Sequence, residues 1–344
     1  MRRGQGVRST TSGQPVRLTL ASGLRARPAR PRFAAVDQMP PGRPVRVHSK
    51  DGVFLHAEVF GPEDGYPIVL AHGITCALEI WAYQIADLAS DYRVIAYDLR
   101  GHGRSGVPPV RGNRGNYGLD HLAGDLDAVL EATLAPGEQA VIAGHSMGGM
   151  AITAWAERYP DRVRRRADAV ALINTSTGDV IQNVRFLPMP PPLAGARLVA
   201  AGTLLRMFGA TPLVRMAELP SRRFVSALAV GRDADPSVID FVYDLFESTP
   251  AAGRGGWVRT MVDAMGPQHI DLQHLTVPTL VIGSDRDRIL PIGSSRRIAD
   301  AAPNLTEFVE LASGHCTIVE RPDEVNKHLR ALAESVTVQR RATS

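Results

Sequence analysis

The stretch AVIAGHSMGGMAI, Ala140 to Ile152, decides how this chain of 344 residues folds. Its first four residues are apolar without a helical period, and a run that short reads as a buried strand. An apolar segment with helical spacing follows, reaching Tyr159 before Pro160 stops it. Between strand and helix stands Gly144-His145-Ser146-Met147-Gly148. A serine on so sharp a turn needs small neighbours, which explains Gly144 and Gly148. The turn also places the Met147 amide at a helix N-terminus, where amide and helix dipole favour a developing negative charge.

Working outward, strands and helices alternate from about residue 43. Val45 to His48 and Val53 to Phe60 alternate like a hairpin around Lys50-Asp51-Gly52. Pro67 to Ala71 and Tyr92 to Tyr97 read as strands, ending at His72-Gly73 and Asp98, with helical spacing between them over Ile80 to Leu88. Leu119 to Leu134 has the apolar repeat of an amphipathic helix, and Ala169 to Ile173 is a further apolar strand. Roughly 95 residues then pass without a convincing strand. Helices are expected there over 194–208, 213–230, 236–246 and 256–265. Alternation resumes with strand 279–282, helix 294–301, strand 305–311 and helix 322–336. Such alternation implies an α/β fold, a mostly parallel doubly wound sheet covered on both faces. The interruption reads as a helical cap inserted after the sixth strand. It would lie over the carboxyl ends of the strands, where ligands bind in such sheets.

This gives core segments 41–175 and 271–338, a cap over 176–270, and tails at 1–40 and 339–344. Residues 1 to 36 carry eight arginines and no acid, so the first tail is expected to be disordered. It lacks the continuous apolar core of a secretion signal. Net charge is +4, with arginine outnumbering lysine because Lys50 and Lys327 are the only lysines. No basic helix or aromatic-interleaved patch accompanies that charge, so nucleic acid is not expected as a partner. Cys76 and Cys316 are too few for a disulfide framework and lack metal-site spacing. A cytoplasmic location is expected. Contact with a membrane surface through the apolar stretch Leu193 to Ala210 is compatible with the sequence but not required by it.

From about residue 43 to its end the chain resembles the α/β-hydrolase superfamily. Four motifs carry the resemblance: His72-Gly73, the turn Asp98 to Ser105, the elbow Gly144 to Gly149, and Ser313-Gly314-His315. The resemblance implies Ser146 as nucleophile, His315 as its base, and the amides of Ile74 and Met147 as oxyanion donors. It also implies an acid after the strand ending at Ile282, where GSDRDRILP (283–291) offers Asp285 and Asp287. Periodicity cannot separate them, since residues i and i+2 share a face. The family acid stands four positions before a proline, and Asp287 with Pro291 fits. Asp285 is then expected to bind loop amides. His72 and His102 are read as turn-stabilising, and His145 as pointing away from the chemistry.

The implied reaction is hydrolysis of a small, lipophilic carboxylic ester through an acyl-enzyme, with no metal or organic cofactor. Leu187, Met189, Leu204, Leu205, Met207 and Phe208 suggest an acyl chain of medium or greater length. Carbon–carbon bond hydrolysis or perhydrolysis by the same triad remains an alternative, as does a non-catalytic ligand receptor. Aspartate-nucleophile chemistry, such as epoxide opening, is disfavoured by Ser146.

Overall fold

A computed structural model describes residues 33–108, 116–180, 203, 218–264 and 266–343. The expected hairpin comprises β1 (Arg43–His48) and β2 (Phe54–Phe60), antiparallel in register from Arg43 opposite Val59 to His48 opposite Phe54. It joins β3 (Pro67–Ala71), β4 (Arg93–Tyr97), β5 (Ala140–His145), β6 (Ala167–Ile173), β7 (Thr279–Ser284) and β8 (Leu305–Leu311). One eight-stranded sheet results, in the order β1-β2-β4-β3-β5-β6-β7-β8. β2 runs antiparallel to β4, and every pairing from β4 through β3 to β8 is parallel. The fold is therefore α/β with a mostly parallel sheet.

The central strands are apolar throughout because both of their faces are covered. Along β3, Ile68 and Leu70 point into one core while Val69 and Ala71 point into the other. The first core is closed by α2 (Ala82–Leu88) and α11 (Pro322–Thr343), the latter through Val325, Leu329, Leu332 and Val336. Those positions recur at helical spacing and form one apolar stripe. The second core is closed by α3 (Leu119–Thr133), α4 (Met147–Arg158) and α9 (Ile292–Ala301). Pro160 ends α4 as expected from its missing amide, yet it also opens α5 (Pro160–Arg166), whose first position suits proline.

Between β6 and β7 the described residues hold α6 (Glu218–Ala229), α7 (Pro236–Ser248) and α8 (Ala251–Ala264). Apart from Thr203, the expected helix over 194–208 lies outside the described residues, as do the six apolar residues from Leu187 to Phe208. Two docking points tie α8 to the sheet side. Trp257 donates from Nε1 to the Arg100 carbonyl at 2.9 Å, and Gly253 meets Gly101 so closely that a Cβ there would collide with its backbone.

The two tail boundaries need correction. Composition puts residues 34–38 in the disordered tail, but Ala34–Gln38 forms α1, with Phe33, Ala35 and Val36 buried. Phe33 stacks on Phe241 of α7 with ring centroids 4.2 Å apart and meets Tyr83 edge-on at 5.5 Å. Those aromatic partners lie far away in sequence, so local composition could not reveal them. At the other end α11 continues through Thr343, where a tail from 339 was expected. The remaining tail residues 1–32 lie outside the described residues.

Candidate active site

The loops that leave the carboxyl ends of β3, β5, β6, β7 and β8 converge, and the site is built from them. Ser146 sits between β5 and α4 at φ 54°, ψ −118°. A left-handed conformation for a residue bearing a Cβ is strained and persists only where its surroundings enforce it. Here they do. Ser146 N–H donates to the Ile173 carbonyl at 2.9 Å, and its own carbonyl accepts from Thr175 Oγ1 at 2.7 Å. A Cβ on Gly148 would run into the Ala71 carbonyl, and one on Gly144 would meet the Gly148 backbone at 2.5 Å. Both glycines are therefore dictated by close approach.

His315, on the loop after β8, places Nε2 2.9 Å from Ser146 Oγ and Nδ1 2.7 Å from Asp287 Oδ2. An ionised carboxylate only accepts, so Nδ1 carries the proton and the Nε2 lone pair faces the serine hydroxyl. Asp287 is itself fixed. Its Oδ1 accepts from the Ile289 and Leu290 amides, each at 2.8 Å, and its Oδ2 accepts from Asn174 Nδ2 at 3.0 Å. Neither adjacent arginine competes for it. Arg286 pairs with Asp233 at 2.7 Å, and Arg288 donates to the Ala227 carbonyl.

Asp285 takes no part in this chain. Its side chain is 41% exposed beside Arg286, whereas that of Asp287 is fully buried. The expectation that Asp285 binds loop amides was misplaced: Asp287 does so with the oxygen that does not face His315.

The Met147 amide opens α4, and Ile74 stands on the loop after β3. A Cβ on Gly73 would lie 3.0 Å from Ser146 Cβ, which shows how closely that loop passes the serine. Two buried histidines shape it. His102 Nε2 accepts from the Thr75 amide at 3.0 Å while its Nδ1 faces the Arg100 carbonyl at 3.2 Å. His72 Nε2 accepts from Leu99 N–H at 3.0 Å, and its Nδ1–H donates to the Gly73 carbonyl at 2.7 Å. Each ring thus uses one nitrogen as donor and one as acceptor and is held neutral. Burial lowers the pKa of His72 to about 4 and that of His102 to about 3.

Sequence reasoning missed three contributors. Asn174 follows β6 at φ 44° and donates to both Asp287 and Ser284 Oγ. Its only sequence signal is a polar residue ending an apolar strand. His145, expected to point away, donates from Nε2 to the His315 carbonyl at 2.8 Å and is also kept neutral by burial, its pKa lowered to about 3. Glu320, on α10 (Thr317–Glu320), accepts from Gly314 N–H, next to His315, at 2.9 Å.

A family model described as alpha/beta hydrolase fold matches residues 66–322, and the chain belongs to that family. It is 27% identical over 315 residues to Bifunctional epoxide hydrolase 2 of Sus scrofa, covering 81% of this chain and 53% of that protein. The chain thus spans about half the length of that relative. It is 27% identical over 281 residues to 3-oxoadipate enol-lactonase 2 of Acinetobacter baylyi, covering 81% of this chain and 93% of the relative. A thermophilic esterase from Thermogutta terrifontis shares the fold, with a TM-score of 0.65, 24% identity, and coverage of 86% of this chain and 99% of its own.

Proposed function

We propose that the chain is a serine hydrolase that cleaves carboxylic esters through an acyl-enzyme. The observation that carries this reading is the unbroken relay from Ser146 Oγ through His315 to Asp287, with the serine held on a strained turn. Ser146 Oγ attacks the ester carbonyl as His315 Nε2 takes its proton. Asp287 keeps the ring in the required tautomer and stabilises the imidazolium. The amides of Ile74 and Met147 receive the oxyanion, each contributing about 3 kcal/mol to the transition state. His315 then protonates the leaving alcohol and activates the water that releases the acid.

The relatives' names span esters, lactones and epoxides. Lactones are cyclic esters and open by the same steps. Epoxide opening fits this chain less well, because the resemblance links it to an aspartate nucleophile and two cap tyrosines. Here Ser146 stands on the elbow, and residues 176–270 contain one tyrosine, Tyr243. Carbon–carbon cleavage and perhydrolysis would use the same relay, so the substrate test has to separate them.

Nitrophenyl esters of graded acyl length, with a lactone added to the series, test the reading. The expected outcome is turnover, favouring acyl chains of medium or greater length, together with labelling of Ser146 by a fluorophosphonate. Labelling without turnover on any member would sink ester hydrolysis while leaving a live serine. Absence of both would leave only ligand binding.

A further inference from the structure

Glu320 is a half-buried carboxylate that the relay does not use. Oε2 accepts from two backbone amides, Gly231 at 2.8 Å and Gly314 at 2.9 Å. Oε1 is buried without a hydrogen-bond partner among the described residues. The two amides belong to distant parts of the chain. Gly314 immediately precedes His315, while Gly231 follows the end of α6 in the segment between β6 and β7.

A second bond joins the same two segments. Cys316 N–H donates to the Ala229 carbonyl at 2.9 Å. His315 is thus flanked on both sides by residues bonded to, or bridged to, 229–231. Between those bonds the backbones nearly touch, and a Cβ on Gly314 would collide with Gly231 N and with Val230. On the opposite side the His315 carbonyl is held by His145 from the core. The base is gripped between an arm from the elbow and an arm from the insertion.

We propose that Glu320 is a positioning residue for His315, its carboxylate bridging the Gly314 and Gly231 amides so that the segment after α6 sets the orientation of the base. This rests on the serine-hydrolase reading above. The charge matters because an ionised acceptor makes stronger bonds to amides than a neutral one. Burial raises the pKa of Glu320 above its ordinary value, against the pull of the two amides and of His315. Asp287 also acts on it, and Asp233, Asp235, Arg286 and Arg321 line the adjoining cavity of about 430 Å3. Proton uptake by Glu320 weakens both bridges at once.

The test compares the full chain with Glu320→Gln and Glu320→Ala, using nitrophenyl ester turnover and the rate of fluorophosphonate labelling at Ser146. Small displacements of a catalytic group cost up to about 100-fold in rate. The expected result is a kcat lowered roughly 10- to 100-fold in Glu320→Ala and less in Glu320→Gln, with KM within about twofold. Labelling should slow in parallel. The acid limb of kcat should flatten in Glu320→Gln, because proton uptake at Glu320 is gone. If Glu320→Ala unfolds, Glu320→Gln decides, since it keeps shape and one acceptor oxygen. Both variants turning over at the wild-type rate would overturn the proposal, as would a rise in KM with kcat unchanged. A wild-type chain that fails to label would instead refute the hydrolase reading itself.

Discussion

Ser146 Oγ and His315 Nε2 are 2.9 Å apart, yet the backbone behind each is held by different parts of the chain. Around Ser146 the braces from outside its own helix come from strand ends and the loop after one of them: Ile173 closing β6, Thr175 just beyond it, and Ala71 at the end of β3 pressing on Gly148. Around His315 two of three braces come from outside the sheet, through Ala229 and through Glu320 to Gly231. The difference teaches that the two halves of the site ask different things of the fold. A strained elbow demands a rigid frame, because nothing else would hold φ 54° at a serine. A histidine in an ordinary loop needs only orientation, and an inserted segment can supply that.

The largest expected effect concerns stability in acid and would locate lability in the serine half. His72, His102 and His145 are buried neutral there, with pKa values lowered to about 4, about 3 and about 3. An unfolded histidine titrates near 6.5, so the unfolded chain binds more protons below that value. Their contribution is complete above pH 6.5 and is lost as pH falls toward the folded values. Each adds a slope of at most about 1.4 kcal/mol per pH unit, so the three together approach roughly 4. Urea unfolding between pH 7 and 4.5 should show this decline. A flat profile would mean that these rings are not held neutral, and the contrast between the halves would lose its rigid member.

Asp287→Asn comes next, with a kcat lower by about 10,000-fold, since an asparagine leaves the imidazolium uncompensated and the tautomer wrong. Asp285→Asn, altering an exposed carboxylate beside Arg286, should leave turnover within about twofold. Ester kinetics on the two variants check the pair, and the reverse result would reassign the acid. Asn174→Ala should cost less, about tenfold in kcat, because it removes one hydrogen bond to a charged group while Ile289 and Leu290 still hold the other oxygen. The low-field NMR signal of the His315 Nδ1 proton should shift in this variant, since its acceptor changes. An unmoved signal would make Asn174 a structural residue only.

How much of this was legible in the sequence follows from the range of each interaction. Strands such as Pro67–Ala71 and Thr279–Ser284 announce themselves because two-sided burial forces an unbroken apolar run. Ser146 was visible because a strained turn restricts its immediate neighbours, Gly144 and Gly148. Asp287 and His315 needed the family resemblance, since their own neighbours carry no comparable constraint. Asn174 and His145 stayed hidden because their partners Asp287 and His315 lie 113 and 170 residues away, and the bridging role of Glu320 because Gly231 lies 89 residues away. Side-chain spacing reports the local period and is silent on such contacts. α1 was missed for the same reason: the arginine-rich composition around Phe33 gave no hint of Phe241.

The smallest expected effect tests whether the insertion's anchoring reaches the base at all. Phe33 is 8% exposed and stacks on Phe241, so Phe33→Ala opens a gap between α1 and α7. Truncation of a fully enclosed phenylalanine costs about 3–5 kcal/mol. At this peripheral position, where α1 can settle inward, a loss of about 2 kcal/mol in urea unfolding is expected. The rate of Ser146 labelling at 25 °C should nonetheless stay at the wild-type value. The bonds that grip His315 come from 229–231, before α7 begins, and they close locally through Ala229 and Glu320. Slower labelling in a chain that remains folded would show that α7 transmits strain to the base. The sheet-held and insertion-held halves would then differ in reach as well as in origin.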